Sequence, residues 1–386
     1  MPKKKNTRNA AGSGSIRQRP DGTWEGRYSA GTHPGTGKPM RKSVYGDSQR
    51  EVVDKLAAIS SGINAGTFIE PSKLTVSAWL DIWAAEYLGD VKPNTASKYK
   101  SDCKNHIIPS LGSVKLTVLS AHMIQTFINR LSPLSPKTIK NINGTLHKAL
   151  QQAVEVGYIR FNPSDACKLP RIEKKEIQPL DEAEIAKFLT GIEDHMWESI
   201  YTFTLFTGMR QGEVLGLKWD CVDFEHGTVS IYRQLQKNRE THTWEIITPK
   251  HDKKRRITPA PSVMAVLWEQ RRRQMEWRVK AGVAWQESGL VFTNELGRHL
   301  MPLTVYRHYK KLVADIGIPE SRFHDLRHSY AVVALSSGDD IKTVQETLGH
   351  HTAAFTLDTY GHVTEQMKTE SAARMESFIK GVKKSG

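Results

Sequence analysis

Cysteine is scarce in this 386-residue chain: Cys103, Cys167 and Cys221 are odd in number, scattered and without a C-x-x-C pair. That excludes a disulfide framework and a cysteine zinc site, and places the three thiols as small core residues of a protein kept in reducing surroundings. Long apolar runs are also missing. None approaches the ~20 residues that span a bilayer. The first residues, MPKKKNTRNAAGSGS, are basic but have no apolar stretch behind them, so they do not form a secretory signal. No repeat is present, and no low-complexity block follows the first dozen residues. These absences point to a soluble cytoplasmic protein with no membrane partner. The hydrophobic share of 38% is enough for packed cores, and the length calls for two or three domains.

What is present in excess is positive charge. The chain carries a formal +14 with 55 Lys and Arg against 41 Asp and Glu. Residues 1–50 hold eleven Lys or Arg and three Asp or Glu, so more than half of the net charge sits in the first eighth of the chain. A polyanion, and nucleic acid first among them, is the partner such a concentration fits; a solvated basic arm is the plainer reading.

The pattern along the chain divides it into three. Strand-like runs at Ser15–Arg19, Thr23–Ala30 and Met40–Tyr45 are punctuated by Pro20-Asp21-Gly22 and Gly31–Pro39. Trp24 and Tyr28 share one face of the second run and Arg27 points to the other. Ser48 is placed to cap a helix with the stripe Val52, Leu56 and Ile59. A small basic sheet of this kind has the size to enter a DNA major groove. After a Gly- and Pro-containing linker near 60–73, the patterns become helical. Val76, Leu80, Trp83 and Tyr87 form one stripe; Ile139, Ile142, Leu146, Leu150 and Val154 form another. Asn94, Thr95 and Pro136 mark helix starts, and the expected unit is a bundle of four or five helices. A charged linker, Pro170–Gln178, leads to a mixed unit. Helices are expected there at 181–191, 195–207, 211–217, 262–281, 304–316, 325–336, 341–348 and 353–360, with a tail helix near 364–380. Strands are expected at Val229–Tyr232, Trp244–Thr248 and Arg256–Thr258.

Three motifs in this last unit carry chemistry. In Thr207-Gly208-Met209-Arg210-Gln211-Gly212-Glu213, an apolar helix ends at a glycine and Arg210 opens the next helix. Glu213, three residues on, can brace its guanidinium, and a braced guanidinium offers paired donors to a phosphate. Alone, this is an ordinary i,i+3 ion pair. In His324-Asp325-Leu326-Arg327-His328 a loop enters a helix, where backbone N–H groups favour an anion. Two readings stand: a phosphate clamp with His324 as proton acceptor and Arg327 as donor, or a zinc pair, since H-D-x-x-H resembles H-E-x-x-H. Arg327 on the ligand face, Asp in place of Glu and the lack of a clear third ligand speak against the metal. The third motif runs from Leu348-Gly349-His350 to Asp358-Thr359-Tyr360, with Tyr360 ten residues after His350.

In this order, with T-G-x-R-x-x-E at 207–213, H-D-L-R-H at 324–328, L-G-H at 348–350 and a late Tyr, the chain resembles the tyrosine recombinases, or phage integrases. The layout is similar to integrases of lambdoid phages and conjugative transposons, and Gly14–Leu56 resembles the arm-binding module of the conjugative-transposon branch through a short G-S-I…D-G-x-W pattern.

The resemblance implies a multidomain fold. Residues 1–66 would be an arm-type DNA-binding domain, a small three-stranded sheet plus helix. Residues 73–168 would be an all-α core-binding (SAM-like) bundle, and 178–386 a mostly α catalytic domain with a small antiparallel sheet. It implies Tyr360 as nucleophile, Arg210 and Arg327 on the non-bridging oxygens, His350 as a further donor, His324 as base and Glu213 as support. The lysine expected as general acid matches Lys250, with Lys253 and Lys254 close by. Arginines would stand where many nucleases use a divalent metal, so neither metal nor cofactor is expected. The implied partners are double-stranded DNA at core and arm sites, three further copies in a homotetramer, and accessory proteins such as an excisionase or a DNA-bending protein. A type IB topoisomerase would share the chemistry as a monomer, and a DNA-binding protein without catalysis would share the spelling.

Overall fold

The computed structural model describes residues 15–32, 38–64, 73–173, 178–249 and 254–349, together with part of 372–382. Lys250, Lys253, His350 and Tyr360 lie outside the described residues, as do the helix expected at 353–360 and most of the tail. Helical residues do occur at 372–373, 375–376 and 378–382. The chain forms two compact units, Met1–Glu173 and Lys174–Gly386.

The first unit opens with an antiparallel sheet, β1 (Ser15–Gln18), β2 (Trp24–Thr32) and β3 (Pro39–Gly46), with β2 in the centre. Ile16 pairs with Gly26 and Gly26 with Val44. The Asp21 side chain accepts hydrogen bonds from the backbone N–H and hydroxyl of Thr23, which tightens the first turn. Helix α1 (Gln49–Asn64) starts where expected: the Ser48 hydroxyl accepts the N–H of Glu51 at 3.2 Å. It lays Val52 and Leu56 against Tyr28, with Trp24, Val44 and Ile59 packed around them. The opposite sheet face gathers Arg17, Arg27 and Ser43 around the carboxylate of Glu25.

The helical part of the same unit contains α2 (Val76–Glu86), α3 (Pro93–Asp102), α4 (Ile108–Leu111), α5 (Ala121–Arg130) and α6 (Pro136–Glu155). Thr75, Ser120 and Ser135 cap α2, α5 and α6 through their side-chain oxygens. A π-helical turn, Cys103–Ile107, joins α3 to α4. The expected stripes are buried at Val76, Leu80, Trp83, Ile139, Ile142, Leu146 and Leu150. Tyr87, expected on the first stripe, closes α2 and is exposed. Trp79 takes a central place instead and donates its indole N–H to the Ala149 carbonyl at 2.8 Å.

The second unit contains α7 (Glu182–Gly191), α8 (Glu198–Thr207), α9 (Gln211–Leu215), β4 (Val222–Asp223), β5 (Thr228–Ile231), β6 (Gln234–Lys237), β7 (Trp244–Ile247) and β8 (Arg255–Ile257). The long α10 (Pro261–Ala281), α11 (Pro302–Asp315), α12 (Asp325–Ser336) and α13 (Ile341–Leu348) follow. Its core is built on Phe188, Tyr201, Phe203, Leu267, Phe292 and Tyr309. The strands form two antiparallel sheets where one was expected: β5 pairs with β4 and β8, while β6 and β7 form a separate hairpin. Two strands are absent from the sequence reading, β6 and the two-residue β4. In Gln234-Leu235-Gln236-Lys237 a single apolar residue, Leu235, is buried, so the alternation that marks a strand is faint.

Gln274 on α10 ties this unit internally. Its side chain accepts the indole N–H of Trp219 and donates to the carbonyls of Leu290 and Val291 and to Thr293. Replacing Gln274 with Met keeps the volume and orphans buried polar partners. The substitution should cost about 1–3 kcal/mol, read as a lowered transition of this unit by calorimetry on the full chain; an unchanged transition would remove Gln274 from the stabilising set.

Candidate active site

Helix α8 ends as its sequence demands. Thr204 and Thr207 return their hydroxyls to the carbonyls of Ile200 and Phe203, each at 2.6 Å. Gly208 then turns the chain left-handed at φ +61°. A Cβ at Gly208 would lie 2.6 Å from Tyr330 and 2.7 Å from Leu348, so close packing and backbone conformation both require glycine. The next polar residue, Arg210, stands at the N-cap of α9, and its backbone N–H donates to Glu213 Oε2 at 2.9 Å.

Glu213 is 1% exposed and is the hub of the site. Its Oε1 accepts Arg210 Nη1 at 2.8 Å. From β8, Arg255 grips both oxygens, Nη1 on Oε1 at 3.0 Å and Nη2 on Oε2 at 2.6 Å. Burial alone would raise the carboxyl pKa, but the hydrogen bonds and charge of Arg255, and then Arg210, overcome it and hold it at about 2.

The same guanidiniums converge on the end of α13. Arg255 Nε donates to the Thr347 carbonyl at 2.7 Å, Arg327 Nη2 to the Leu348 carbonyl at 2.7 Å and Arg210 Nη2 to the Gly349 carbonyl at 3.4 Å. These are carbonyls that a helix C-terminus leaves open, at the negative end of its dipole. Arg327 also gives Nη1 to the Gly208 carbonyl at 2.6 Å. It thus locks the turn before Arg210 to the turn before His350. Arg327 is 2% exposed, whereas the Arg210 side chain keeps 32% of its surface open.

His324 is the N-cap of α12 and its carbonyl accepts the N–H groups of Arg327 and His328. Its side chain reaches solvent, yet the packing around the ring, followed by the charges of Arg327 and Arg210, lowers its pKa. The His328 ring meets it edge-on at 4.9 Å between centroids. Burial, then the neighbouring His324, pushes His328 down to about 4. Asp325, the acid of the alternative zinc reading, is 3% exposed and engaged by Arg322 through its backbone N–H, Nε and Nη2. Among the described residues no group of three or more His, Cys, Asp or Glu side chains is arranged to hold a metal ion.

The structure therefore brings Arg210, Glu213 and Arg327 together at the end of α13, with His324 within reach of their charge. Lys250, His350 and Tyr360 lie outside the described residues. The sequence reading missed Arg255. Its signal was the strand period: Arg255 shares a strand face with buried Ile257, and an arginine on a buried face needs an acid.

The chain matches the family model described as "Phage integrase family" over residues 178–367, and "Phage integrase, N-terminal SAM-like domain" over 75–132. It is 33% identical over 366 residues to the tyrosine recombinase XerC-like protein of Caldanaerobacter subterraneus, an alignment covering 89% of this chain and 93% of that one. The fold is similar to that of the Tn1549 transposon integrase solved with transposon right end DNA. The TM-score is 0.65 and the identity 21%, over 78% of this chain and 99% of that one. It is also similar to the lambda integrase tetramer bound to a Holliday junction, with TM-score 0.55 and 19% identity over 88% and 96% of the two chains. The chain belongs to the phage integrase family, the tyrosine recombinases. Its activity is site-specific DNA recombination of the integrase kind, and its architecture is the multidomain one expected from the sequence. Among the described residues no helix is long and apolar enough to cross a membrane.

Removing Glu213 leaves two guanidiniums facing each other without their shared anion. Glu213→Ala should destabilise the unit by about 3–5 kcal/mol, measured by denaturant unfolding. Because the carboxyl is held at about 2 against an ordinary 4.5, its contribution is complete above pH 4.5 and fades as pH falls towards 2. The stability gap between the wild type and Glu213→Gln should close over that window; a gap independent of pH would show that the carboxylate charge is not what stabilises.

Proposed function

We propose that this recombinase integrates and excises a mobile element through a 3′-phosphotyrosyl intermediate on Tyr360. The observation that carries the assignment of the site is the convergence of Arg327 and of Arg210, braced by Glu213, on the backbone immediately before His350. In this reading the scissile phosphate lies against Arg210, the open member of the group. Arg327 lends buried positive charge and takes a non-bridging oxygen by releasing one of its carbonyls. His350 adds a donor. Such preorganised donors are each worth about 3–4 kcal/mol of barrier.

The Tyr360 oxygen attacks phosphorus while its proton passes to His324; a phenol of ordinary pKa needs such a base near neutral pH. The bond to the 5′-oxygen breaks, and Lys250 supplies the proton that turns this oxygen into a free hydroxyl. The phosphoester energy is kept in the tyrosyl link, so a 5′-hydroxyl from a second duplex can reverse the step without ATP and build a Holliday junction. Residues 1–66 are assigned to arm sites, 73–168 to the core site and 178–386 to catalysis. The DNA-bound relatives support a homotetramer on two duplexes, four active sites acting two at a time. An excisionase and a DNA-bending protein complete the expected partners, acting in the cytoplasm.

Covalent capture tests the nucleophile. The protein is expressed beside DNA carrying its own genetic flanks, denatured in SDS, and the attached DNA sequenced. An adduct that survives EDTA and vanishes in Tyr360→Phe is expected; an adduct persisting in Tyr360→Phe would move the nucleophile elsewhere. Deleting residues 1–66 should spare core-site cleavage and impair full recombination, and undiminished recombination would withdraw the arm-site assignment. His324 accepts a proton only when neutral, and its pKa lies below the ordinary 6.5. The acid limb of adduct formation should therefore be centred below 6.5, and that limb should be lost in His324→Gln. A limb centred at or above 6.5, or unchanged in the variant, would assign the base to another group.

A further inference from the structure

We propose that Arg255 is a positioning residue for phosphodiester cleavage, acting through Glu213 to keep the Arg210 guanidinium available to the scissile phosphate. The inference rests on the reading above that Arg210 offsets the charge of that phosphate.

The argument is one of competition for a carboxylate. Glu213 and Arg210 are three residues apart on one helical turn, and nothing in their covalent spacing prevents a closed fork in which both carboxylate oxygens take Nη1 and Nη2. A closed fork would neutralise Arg210 and bury the donors that a phosphate needs. The structure holds the pair in a different geometry. Arg255 occupies both oxygens of Glu213 itself, at 3.0 and 2.6 Å. Arg210 is left with Oε1 for one side-chain nitrogen and Oε2 for its backbone N–H. The Arg210 side chain retains 32% of its surface, against 8% for Arg255. One carboxylate shared between two guanidiniums leaves the trio with a net positive charge, and the exposed member is the one that presents it.

Arg255 has a second hold on the site. Its Nε donates to the Thr347 carbonyl, and its guanidinium lies against Gly349, where a Cβ would sit 3.1 Å from Nη1. Gly349 is left-handed at φ +65° and its carbonyl accepts Arg210 Nη2. One side chain thus orients both the carboxylate beneath Arg210 and the turn whose carbonyl lies on its far side. Its place in the chain adds to this: Arg255 opens β8 five residues after Lys250, so the strand is pinned at its first residue to the carboxylate that braces the phosphate-binding arginine.

The test is single-turnover cleavage by the full chain on a nicked core-site duplex, the site being taken from the captured adduct. Two duplexes are compared, one with the normal scissile phosphate and one with a methylphosphonate, whose methyl group replaces a non-bridging oxygen and removes the charge. Arg255→Met should bind the normal duplex as the wild type does and cleave it about 100-fold more slowly, the size of effect that a small misplacement of a reacting group produces. Most of that deficit should disappear on the methylphosphonate, as it should for Arg210→Ala. If Arg255→Met does not fold, Arg255→Lys, which keeps the charge and loses the fork, is read in the same way. Wild-type cleavage of the normal duplex, or an equal deficit on both duplexes while Arg210→Ala is relieved, would overturn the proposal and leave Arg255 a structural ion pair. If Arg210→Ala is not relieved either, the fault lies with the reading of Arg210, and the proposal falls with it.

Discussion

A carboxylate with 1% of its surface exposed, held between two guanidiniums, is the interaction on which the rest of the second unit is organised. Taking Glu213 out of water is costly, and a single partner seldom offsets that cost. Two do, provided that both are fixed. Arg210 is fixed because the glycine turn at 208 ends α8 where it does, and Arg255 because β8 pairs with β5, Ile231 opposite Arg255. The first arrangement is local and the second is not. The hub joins residues 210, 213 and 255 and, through their carbonyl contacts, 347 and 349, so its members find one another only when the helices and the small sheet have both formed. A site assembled this way is sensitive to register: a one-residue slip of β8 would turn Arg255 outward and Arg256 inward.

The carbonyl contacts explain why an excess of cations is tolerated here before any phosphate arrives. Three guanidiniums and one carboxylate in a mostly buried space would repel one another if nothing else compensated. The C-terminus of α13 supplies what is missing: its last carbonyls are directed at the group, one for each arginine. Partial negative charge on fixed dipoles substitutes for a counter-ion. Such dipoles hold their positions but are weaker acceptors than a phosphate oxygen. The arginines are therefore stable without DNA and still have a stronger acceptor to gain.

Much of this was legible in the sequence, and the reasons differ from element to element. The stripes of α2 and α6 repeat every three or four residues and name most of their buried members, though Tyr87 is exposed and Trp79 is buried in its place. The cap Ser48 and the helix start at Pro136 are read in the same way, because local sequence decides both. Arg210, Glu213, His324 and Arg327 stand in motifs whose spacing keeps them on one turn of helix. β6 was not legible, since its single buried side chain leaves no alternation to read. Arg255 was not either. Its partner is 42 residues away in the chain, and an arginine beside Arg256 at the end of a lysine-rich stretch has the look of a solvated residue until the strand face on which it lies is known. Tertiary pairing of this kind leaves only a weak mark in a single sequence.

The balance of the site also bears on how DNA would be felt by the protein. A group that buries more positive than negative charge gives up some stability in the free state, and any polyanion placed on its open arginine restores it. The chain's overall +14 brings DNA near without regard to sequence; in the proposed reading the excess at Glu213 would act only at contact distance, on the phosphate seated against Arg210. The long-range field and the local deficit therefore do separate work. The field raises the concentration of DNA along the protein, and the deficit rewards only the register that seats a phosphate against Arg210, which is where selectivity for a single phosphodiester would arise.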